Sequence, residues 1–137
     1  MDHKIRIVII DDHTLFREAV IEVLSKIDDF AVVGQGGTAK EAIYLTEHLK
    51  PDILLLDLGL PGGGLSAAWV LTSTFPETRI IALTSSAAED DIIGAAKAGI
   101  CAYVLKGVSG RDLINNIFKV HSGECLDFPT LEHHTGS

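Results

Sequence analysis

The sequence predicts an α/β fold in which five parallel strands alternate with five helices, and three observations predict it. Short apolar runs recur along the chain, at Ile5–Ile10, Ala31–Val33, Ile53–Leu56, Arg79–Leu83 and Cys101–Leu105, each too short for a buried helix and bounded by breakers or polar residues. The segments between them carry apolar residues at helical spacing. Strands joined by a helix cannot be hairpins, so they must run parallel with right-handed crossovers.

The first strand, Ile5 to Ile10, leads into a helix from about His13 to Lys26, with Leu15, Ala19, Val20, Val23, Leu24 and Ile27 at helical spacing. The second strand, Ala31 to Val33, is ended by Gly34, Gly36 and Gly37. The second helix opens at Thr38, and Glu41 three residues later completes a capping box. Its inner face is Ala39, Ala42, Ile43, Thr46 and Leu49, and Pro51 stops it. The run Ile53-Leu54-Leu55-Leu56 has no polar alternation, so it reads as a central strand buried on both faces. The third helix runs from about Leu65 to Thr74, favoured by Ala67-Ala68 and ended by Pro76; Trp69 on it reads as a packing residue. The fourth strand, Arg79 to Leu83, closes at Thr84, and the fourth helix spans about Ala88 to Ala98. Glu89, Asp90 and Asp91 in its first turn complement the helix dipole, and Gly99 stops it. The fifth strand, Cys101 to Leu105, closes at Lys106, with Cys101 expected in the core. The fifth helix, about Gly110 to Ser122, turns Leu113, Ile114, Ile117 and Val120 inward and ends at Gly123. Five such units give a flavodoxin-like (βα)5 three-layer sandwich, its parallel five-stranded sheet in the order 2-1-3-4-5.

A chain of 137 residues, 47% of them hydrophobic, holds one globular domain with a proper core. The net charge of −8, with Lys and Arg scattered singly, argues against nucleic-acid binding by this chain itself. No apolar run reaches the ~18 residues of a membrane span, and residues 5–10 stop at Asp11-Asp12, too soon for a signal-peptide core. The expected location is therefore cytoplasmic, with no membrane partner. Cys101 and Cys125 fit neither a metal spacing nor a disulfide framework and read as reduced thiols. Residues 1–126 are expected to form the domain. Residues 127–137 have no periodic pattern and read as a tail, a linker remnant or a cloning scar; His133 and His134 within them are poor evidence for a metal site.

The candidate chemistry stands at the strand ends. Parallel topology brings Asp11-Asp12, Asp57, Thr84 and Lys106 to one edge of the sheet, where open α/β sheets place their ligands. Each alone has a plainer reading: Asp11 or Asp12 as a cap of the first helix, Asp57 as a loop brace, Thr84 as a loop hydroxyl, Lys106 as a solvated surface lysine. Together their chemistry is coherent. Three carboxylates repel unless a cation sits among them, and they offer oxygens to Mg²⁺. Asp57, where the central strand dissolves into Pro61 and three glycines, suits a carboxylate nucleophile that accepts a phosphoryl group. Thr84 and Lys106 would donate to the phosphoryl oxygens, and Lys106 would neutralise developing charge.

The set Asp11-Asp12, Asp57 with Pro61, Thr84 and Lys106 resembles the response-regulator receiver domain of two-component signalling, over roughly Lys4 to Leu126. Asp-Asp-His at 11–13, Ala98-Gly99 before the fifth strand and Gly123-Glu-Cys-Leu126 after the fifth helix are similar to the NarL/FixJ-like subgroup. The resemblance implies that Asp57 is the phosphoacceptor. It also implies that Asp11, Asp12 and Asp57 hold Mg²⁺ with the Gly59 main-chain carbonyl, that Lys106 contacts the phosphoryl group, and that Thr84 and Tyr103 form a switch acting on the face of the fourth helix, fifth strand and fifth helix. It implies a sensor histidine kinase as partner, leaves room for a homodimer on phosphorylation, and gives DNA only through an output domain absent from this chain. Four departures stand out: Thr14 where the subgroup often has Pro, Gly62-Gly63-Gly64 for the more usual Gly-Met-Asp-Gly, Gly59 and Ser86 flanking the site without bulk or charge, and Gly107 for the Pro often found after the lysine. The triple glycine suggests a mobile loop. None of the four removes a reacting group.

Lys106 and Asp12 are expected to point from strand ends into solvent, so their replacement should spare the fold. The reading is a signalling switch more than an enzyme. An aspartyl-phosphate phosphatase or mutase of the haloacid-dehalogenase type is the first rival, but it would need a second Asp two residues after the nucleophile, where Gly59 stands. A flavodoxin-like cofactor binder is the second, but the Asp11-Asp12-His13 loop would repel a flavin phosphate. The chain ends within about a dozen residues of Leu126, too few for a three-helix output domain, so a truncated transcriptional regulator or a stand-alone receiver is expected.

Overall fold

All five residues of the central strand β3, Ile53–Asp57, are buried, and the rest of the fold is arranged around them. The structure, a computed structural model, describes residues 3–124. Its elements follow as β1 (Ile5–Ile10), α1 (Thr14–Ser25), β2 (Phe30–Gly36), α2 (Ala39–Leu49), β3, α3 (Gly64–Thr74), β4 (Arg79–Thr84), α4 (Glu89–Lys97), β5 (Ala102–Leu105) and α5 (Gly110–His121). The five strands form one parallel sheet in the order β2-β1-β3-β4-β5, as the sequence predicted.

The twofold alternation of strand side chains builds two cores from one sheet. Leu54 and Leu56, with Val8, Ile10, Ile80 and Ala82, pack under α2, α3 and α4. Ile53 and Leu55, with Ile7, Ile9, Ile81 and Leu83, pack under α1 and α5. Each fully buried leucine or isoleucine contributes roughly 1.5–3 kcal/mol over its exposed state, so a central strand with no polar alternation is the stable solution.

Local differences from the sequence reading have physical causes. Strand β2 extends to Gly36 although glycines are poor strand formers, because main-chain pairing with β1 carries Gly34, Gln35 and Gly36 along it after a register shift beside Val8. A Cβ on Gly34 would lie 2.9 Å from the Leu49 Cδ1 methyl, so α2 packs close over this position and a side chain here would make that methyl shift. The buried stripe of α1 runs through Val20 and Leu24 with Phe16, Val23 and Ile27 partly covered; Leu15, 81% exposed, and Ala19 face solvent. The expected Val20, Val23, Leu24 and Ile27 are thus covered, and only Leu15 and Ala19 fall outside the stripe, with Phe16 in the place of Leu15. Trp69 is half exposed on α3, which buries its small residues Gly64, Ala67 and Ala68 with Leu71 instead. Cys101 precedes β5 and is half-buried; Cys125 and the tail lie outside the described residues.

The helix boundaries follow their caps. Thr38 Oγ1 accepts from the Glu41 N–H at 3.1 Å, while Glu41 Oε1 reaches the Gly37 N–H at 2.8 Å, one residue before the usual capping-box partner. Ser109 caps α5 by accepting from the Asp112 N–H. Gly99 and Gly123 end α4 and α5 at φ 88° and 106°, in the left-handed region that favours glycine. Among the described residues no helix is long and apolar enough to cross a membrane.

Candidate functional site

The carboxyl ends of β1, β3, β4 and β5 bring the predicted residues to one edge of the sheet. Asp57 ends β3, 3% exposed; Asp11 follows β1, fully buried; Thr84 ends β4, 5% exposed; Lys106 follows β5. A carboxylate enters so apolar a position because a buried strand ends there and the chain turns at once. The Gly59 N–H donates to Asp57 Oδ1 at 3.0 Å, which fixes the carboxylate plane and leaves Oδ2 facing the site. That turn depends on Gly64, where a Cβ would lie 2.5 Å from the Asp57 carbonyl oxygen and 2.6 Å from the Leu58 Cα. Gly62 and Gly63 sit at φ 92° and 93°. The three glycines that suggested a mobile loop thus each meet a geometric demand of the β3–α3 turn.

Asp11 does not cap α1. Its Oδ1 accepts from the His13 N–H at 2.8 Å in an Asx turn, and the cap position, His13, makes no side-chain cap bond. The turn is anchored by Arg17, whose Nη1 donates to the Asp11 carbonyl at 2.6 Å and to the Gly36 carbonyl at 3.3 Å, with Nε on Gln35 Oε1 at 2.8 Å. Sequence reasoning missed Arg17, because its acceptors are mostly main-chain carbonyls that leave no residue signature.

Lys106 corrects an expectation. Its side chain is only 13% exposed and turns into the site, with Nζ 2.9 Å from Asp11 Oδ2, 3.4 Å from Asp57 Oδ2 and 4.9 Å over the Phe16 ring. Two buried carboxylates draw the ammonium inward more strongly than solvent holds it out. The ammonium approaches Asp11 Oδ2 and Asp57 Oδ2 as a charge, and among the described residues neither oxygen receives a directed hydrogen bond. Asp12 stands at the mouth, its side chain a third exposed. The Lys106–Gly107 peptide bond is trans.

Burial pushes the Asp57 carboxyl above the usual carboxylate range, and the Asp11 charge adds to this, while the Gly59 N–H and the Lys106 charge pull it back only in part. Two buried carboxylates that share one ammonium, beside the accessible Asp12, fit a hard divalent cation, which would supply further positive charge. The His13 imidazole joins this cluster, Nδ1 being 3.1 Å from Asp11 Oδ1 and 3.8 Å from Asp57 Oδ2. The sequence reading used His13 only as part of a motif and as the helix start; its adjacency to the acidic pair was the available signal.

A cavity of about 180 Å³ adjoins the site, lined by Leu58, Gly59, Leu65, Thr84, Ser86 and Asp91. Ser86 does bring charge to it. Its Oγ donates to Asp91 Oδ2 at 2.6 Å and accepts from the Ala88 N–H at 3.1 Å. The Ser86 N–H donates to Thr84 Oγ1 at 3.1 Å, and Tyr103, only 5% exposed, donates its hydroxyl to the Ser86 carbonyl at 2.7 Å. Burial raises the Tyr103 pKa, offset in part by a hydrogen bond with Thr84.

These geometries can be set beside known proteins. Over 128 residues the chain is 32% identical to the response regulator protein VraR of Staphylococcus aureus, covering 93% of this chain and 61% of that protein's length. It superposes with a TM-score of 0.86 on the signal receiver domain of the putative response regulator NarL from Mycobacterium tuberculosis, at 28% identity over 89% of this chain and 99% of that one. A LuxR-family two-component response regulator from Aurantimonas sp. superposes with a TM-score of 0.85, at 28% identity over 94% of this chain and 91% of that one. The response regulator receiver domain profile matches residues 7–118, from within β1 into α5. With its sheet order and its acidic strand-end cluster, the chain belongs to the response regulator receiver domain family.

Proposed function

We propose that the chain is a phosphorylation-dependent switch that accepts a phosphoryl group on Asp57 from the phosphohistidine of a sensor histidine kinase. The observation that carries this is the asymmetry of the Asp57 carboxylate: Oδ1 is held by the Gly59 N–H, while buried Oδ2 receives no directed hydrogen bond from the described residues and faces the Lys106 charge at 3.4 Å. A nucleophile oriented through one oxygen and left free at the other is prepared for attack. In the transfer, Asp57 Oδ2 bonds to phosphorus as the phosphorus–nitrogen bond of the donor breaks, and the imidazole nitrogen keeps the electron pair. Lys106 lies close enough to follow the phosphoryl oxygens, and its charge opposes the negative charge gathering there. Return to the ground state is attack of water on phosphorus, which releases inorganic phosphate and restores the Asp57 carboxylate.

Asp11, Asp12 and Asp57, with the Gly59 carbonyl, would hold Mg²⁺. When bound, the ion neutralises charge on the carboxylates and on the phosphoryl oxygens. Thr84 is the hydroxyl that would turn to the phosphoryl group, and Tyr103 would follow along the α4–β5–α5 face, where a partner or a second copy reads the change. The self-directed transfer and hydrolysis make the chain a signalling acceptor and not a classical enzyme. The receiver unit spans residues 1–126, and it acts in the cytoplasm. VraR's greater length and the LuxR-family neighbour support a place in a transcriptional regulator, where DNA would be bound by an output domain outside this sequence.

The test is intact mass before and after acetyl phosphate with Mg²⁺. Wild type should gain one phosphoryl group and Asp57→Asn none. Full labelling of Asp57→Asn would refute the assignment.

A further inference from the structure

We propose that the edge of the sheet opposite Asp57 carries a site for a small aromatic amine, with its ring in an enclosed cavity, a polar tip on the Thr46 hydroxyl and its ammonium between the Asp52 and Glu77 carboxylates. The cavity, of about 200 Å³, lies between the C-terminus of α2, the start of β3 and the loop from α3 to β4. A cavity of about 150 Å³ suffices for benzene, so this one takes a single ring with a short arm. It shares no residue with the Asp57 site and does not depend on the phosphoryl reading.

Thr46 is fully buried and lines the cavity, and its Oγ1 has no hydrogen-bond partner among the described residues. A helical threonine can give its hydroxyl to the carbonyl one turn back, as Thr72 of α3 does to Ala68 at 3.0 Å; Thr46 does not. A buried hydroxyl without a partner points to a polar group that arrives with a ligand. Water meets the need poorly, because a buried water wants two or more polar partners. The other buried hydroxyl of the lining, that of Thr78, is already donated to the Pro51 carbonyl at 2.7 Å, and Phe75 and Pro51 offer apolar surface. That same bond ties the two loops together, so the cavity is preformed.

The rim fixes the sign of the ligand. Asp52 is half-buried and Glu77 exposed, and among the described residues neither carboxylate forms an ion pair. The cations nearby are directed elsewhere. Lys50 Nζ donates to the Glu47 carbonyl at 2.9 Å, and Arg6 Nη1 to the Leu49 and Lys50 carbonyls at 2.6 and 3.0 Å. Both thus answer the open carbonyls at the end of α2 and not the carboxylates. An ammonium at the rim meets two carboxylates and the negative end of the α2 dipole, where an anion would be repelled by all three.

The test adds tyramine to the full chain and follows the amide signals of Thr46, Asp52 and Thr78 by NMR, with thermal melting to check the fold of each variant. Wild type should bind tyramine in the millimolar range or tighter, with the Gly59 and Thr84 amides unmoved. Phenethylamine, which lacks the hydroxyl, should bind about threefold more weakly, and Thr46→Val should erase that difference. Asp52→Asn with Glu77→Gln keeps an acceptor for the Arg6 N–H and should weaken both amines at least about fivefold. The charge-reversed 4-hydroxyphenylacetate should not bind. Absence of tyramine shifts at these amides, equal binding of 4-hydroxyphenylacetate, a Thr46→Val protein that still prefers tyramine, or unchanged affinity in the double carboxylate variant would each overturn the proposal.

Discussion

Removing the Lys106 charge while keeping its stem should unsettle the fold itself. In Lys106→Met the aliphatic part can still cover Phe16, but Asp11 and Asp57 lose the cation 2.9 Å and 3.4 Å away. At an effective dielectric of about 20 those separations correspond to gross attractions of about 6 and about 5 kcal/mol, most of which desolvation offsets. Breaking a buried pair from one side leaves the other charge uncompensated, typically at a cost of about 3–5 kcal/mol, and the partly open mouth of this site places the loss near about 3. For a domain of this size that is a fall in melting temperature of about 10 °C. The deficit should depend on pH in a defined direction. The Asp57 carboxyl is already raised in the folded state, first by burial and then by Asp11, and loss of Lys106 raises it further. A raised acid favours the protonated fold, so the penalty is absent below the unfolded value and grows as pH rises through the folded one. The variant should thus approach wild type as pH falls toward about 4 and diverge from it near neutrality. Mg²⁺ should recover part of the loss, and Lys106→Met with Asp57→Asn should melt above Lys106→Met alone. Melting of Lys106→Met within about 2 °C of wild type at neutral pH without divalent cation would refute this picture of two buried charges held by one ammonium.

Gly64→Ala should destabilise the domain by about 2–3 kcal/mol and weaken phosphorylation, because its Cβ would meet main-chain atoms of Asp57 and Leu58 at 2.5 and 2.6 Å. Gly107→Ala, with none of the described residues within 4 Å of the added Cβ, is the matched control and should melt close to wild type; equal behaviour of the two in thermal melts would count against the packing argument. Arg17→Met should lower stability by about 1–2 kcal/mol and weaken Mg²⁺ severalfold by calorimetry, since Asp11 and Gly36 lose a shared donor; unchanged Mg²⁺ affinity would show that the turn holds without it. Thr84→Ala should leave Asp57 open to phosphorylation but blunt the NMR shifts of Tyr103 and α4 on adding a beryllofluoride mimic, and equal shifts in both proteins would show that Thr84 does not carry the signal.

The strands were legible because burial on two faces leaves no polar alternation, and the site was legible because parallel strands must deliver their last residues to one edge. Asp11, Asp57, Thr84 and Lys106 converge for that reason alone. What the sequence withheld depends on distances that residue types do not encode. The true extent of β2 is set by main-chain pairing that glycines disfavour but do not forbid. The stripe of α1 starts at Phe16 and not at Leu15, a shift of one residue that apolar spacing does not resolve when both are apolar. Lys106 turns inward because two other elements bury charges beside it, a demand invisible from its own neighbours. Asp91 looked sufficient as a dipole partner in the first turn of α4, and only the Ser86 hydroxyl 2.6 Å away shows its second task.

That second task bears on how a signal would leave the site. Thr84 Oγ1 accepts from the Ser86 N–H and shares a hydrogen bond with Tyr103. If its hydroxyl turns to a phosphoryl oxygen on Asp57, both partners are disturbed at once. Tyr103 cannot respond alone, because its hydroxyl is also held by the Ser86 carbonyl at 2.7 Å. Ser86 cannot respond alone either, because its Oγ bridges Asp91 and the Ala88 N–H at the start of α4. The unit that must move is therefore the loop and the first turn of α4 with the ring of Tyr103, not one rotamer. Coupling of this kind gives a small displacement at Asp57 two discrete outcomes, since a loop tied by four hydrogen bonds trades one set for another more readily than it stretches all of them.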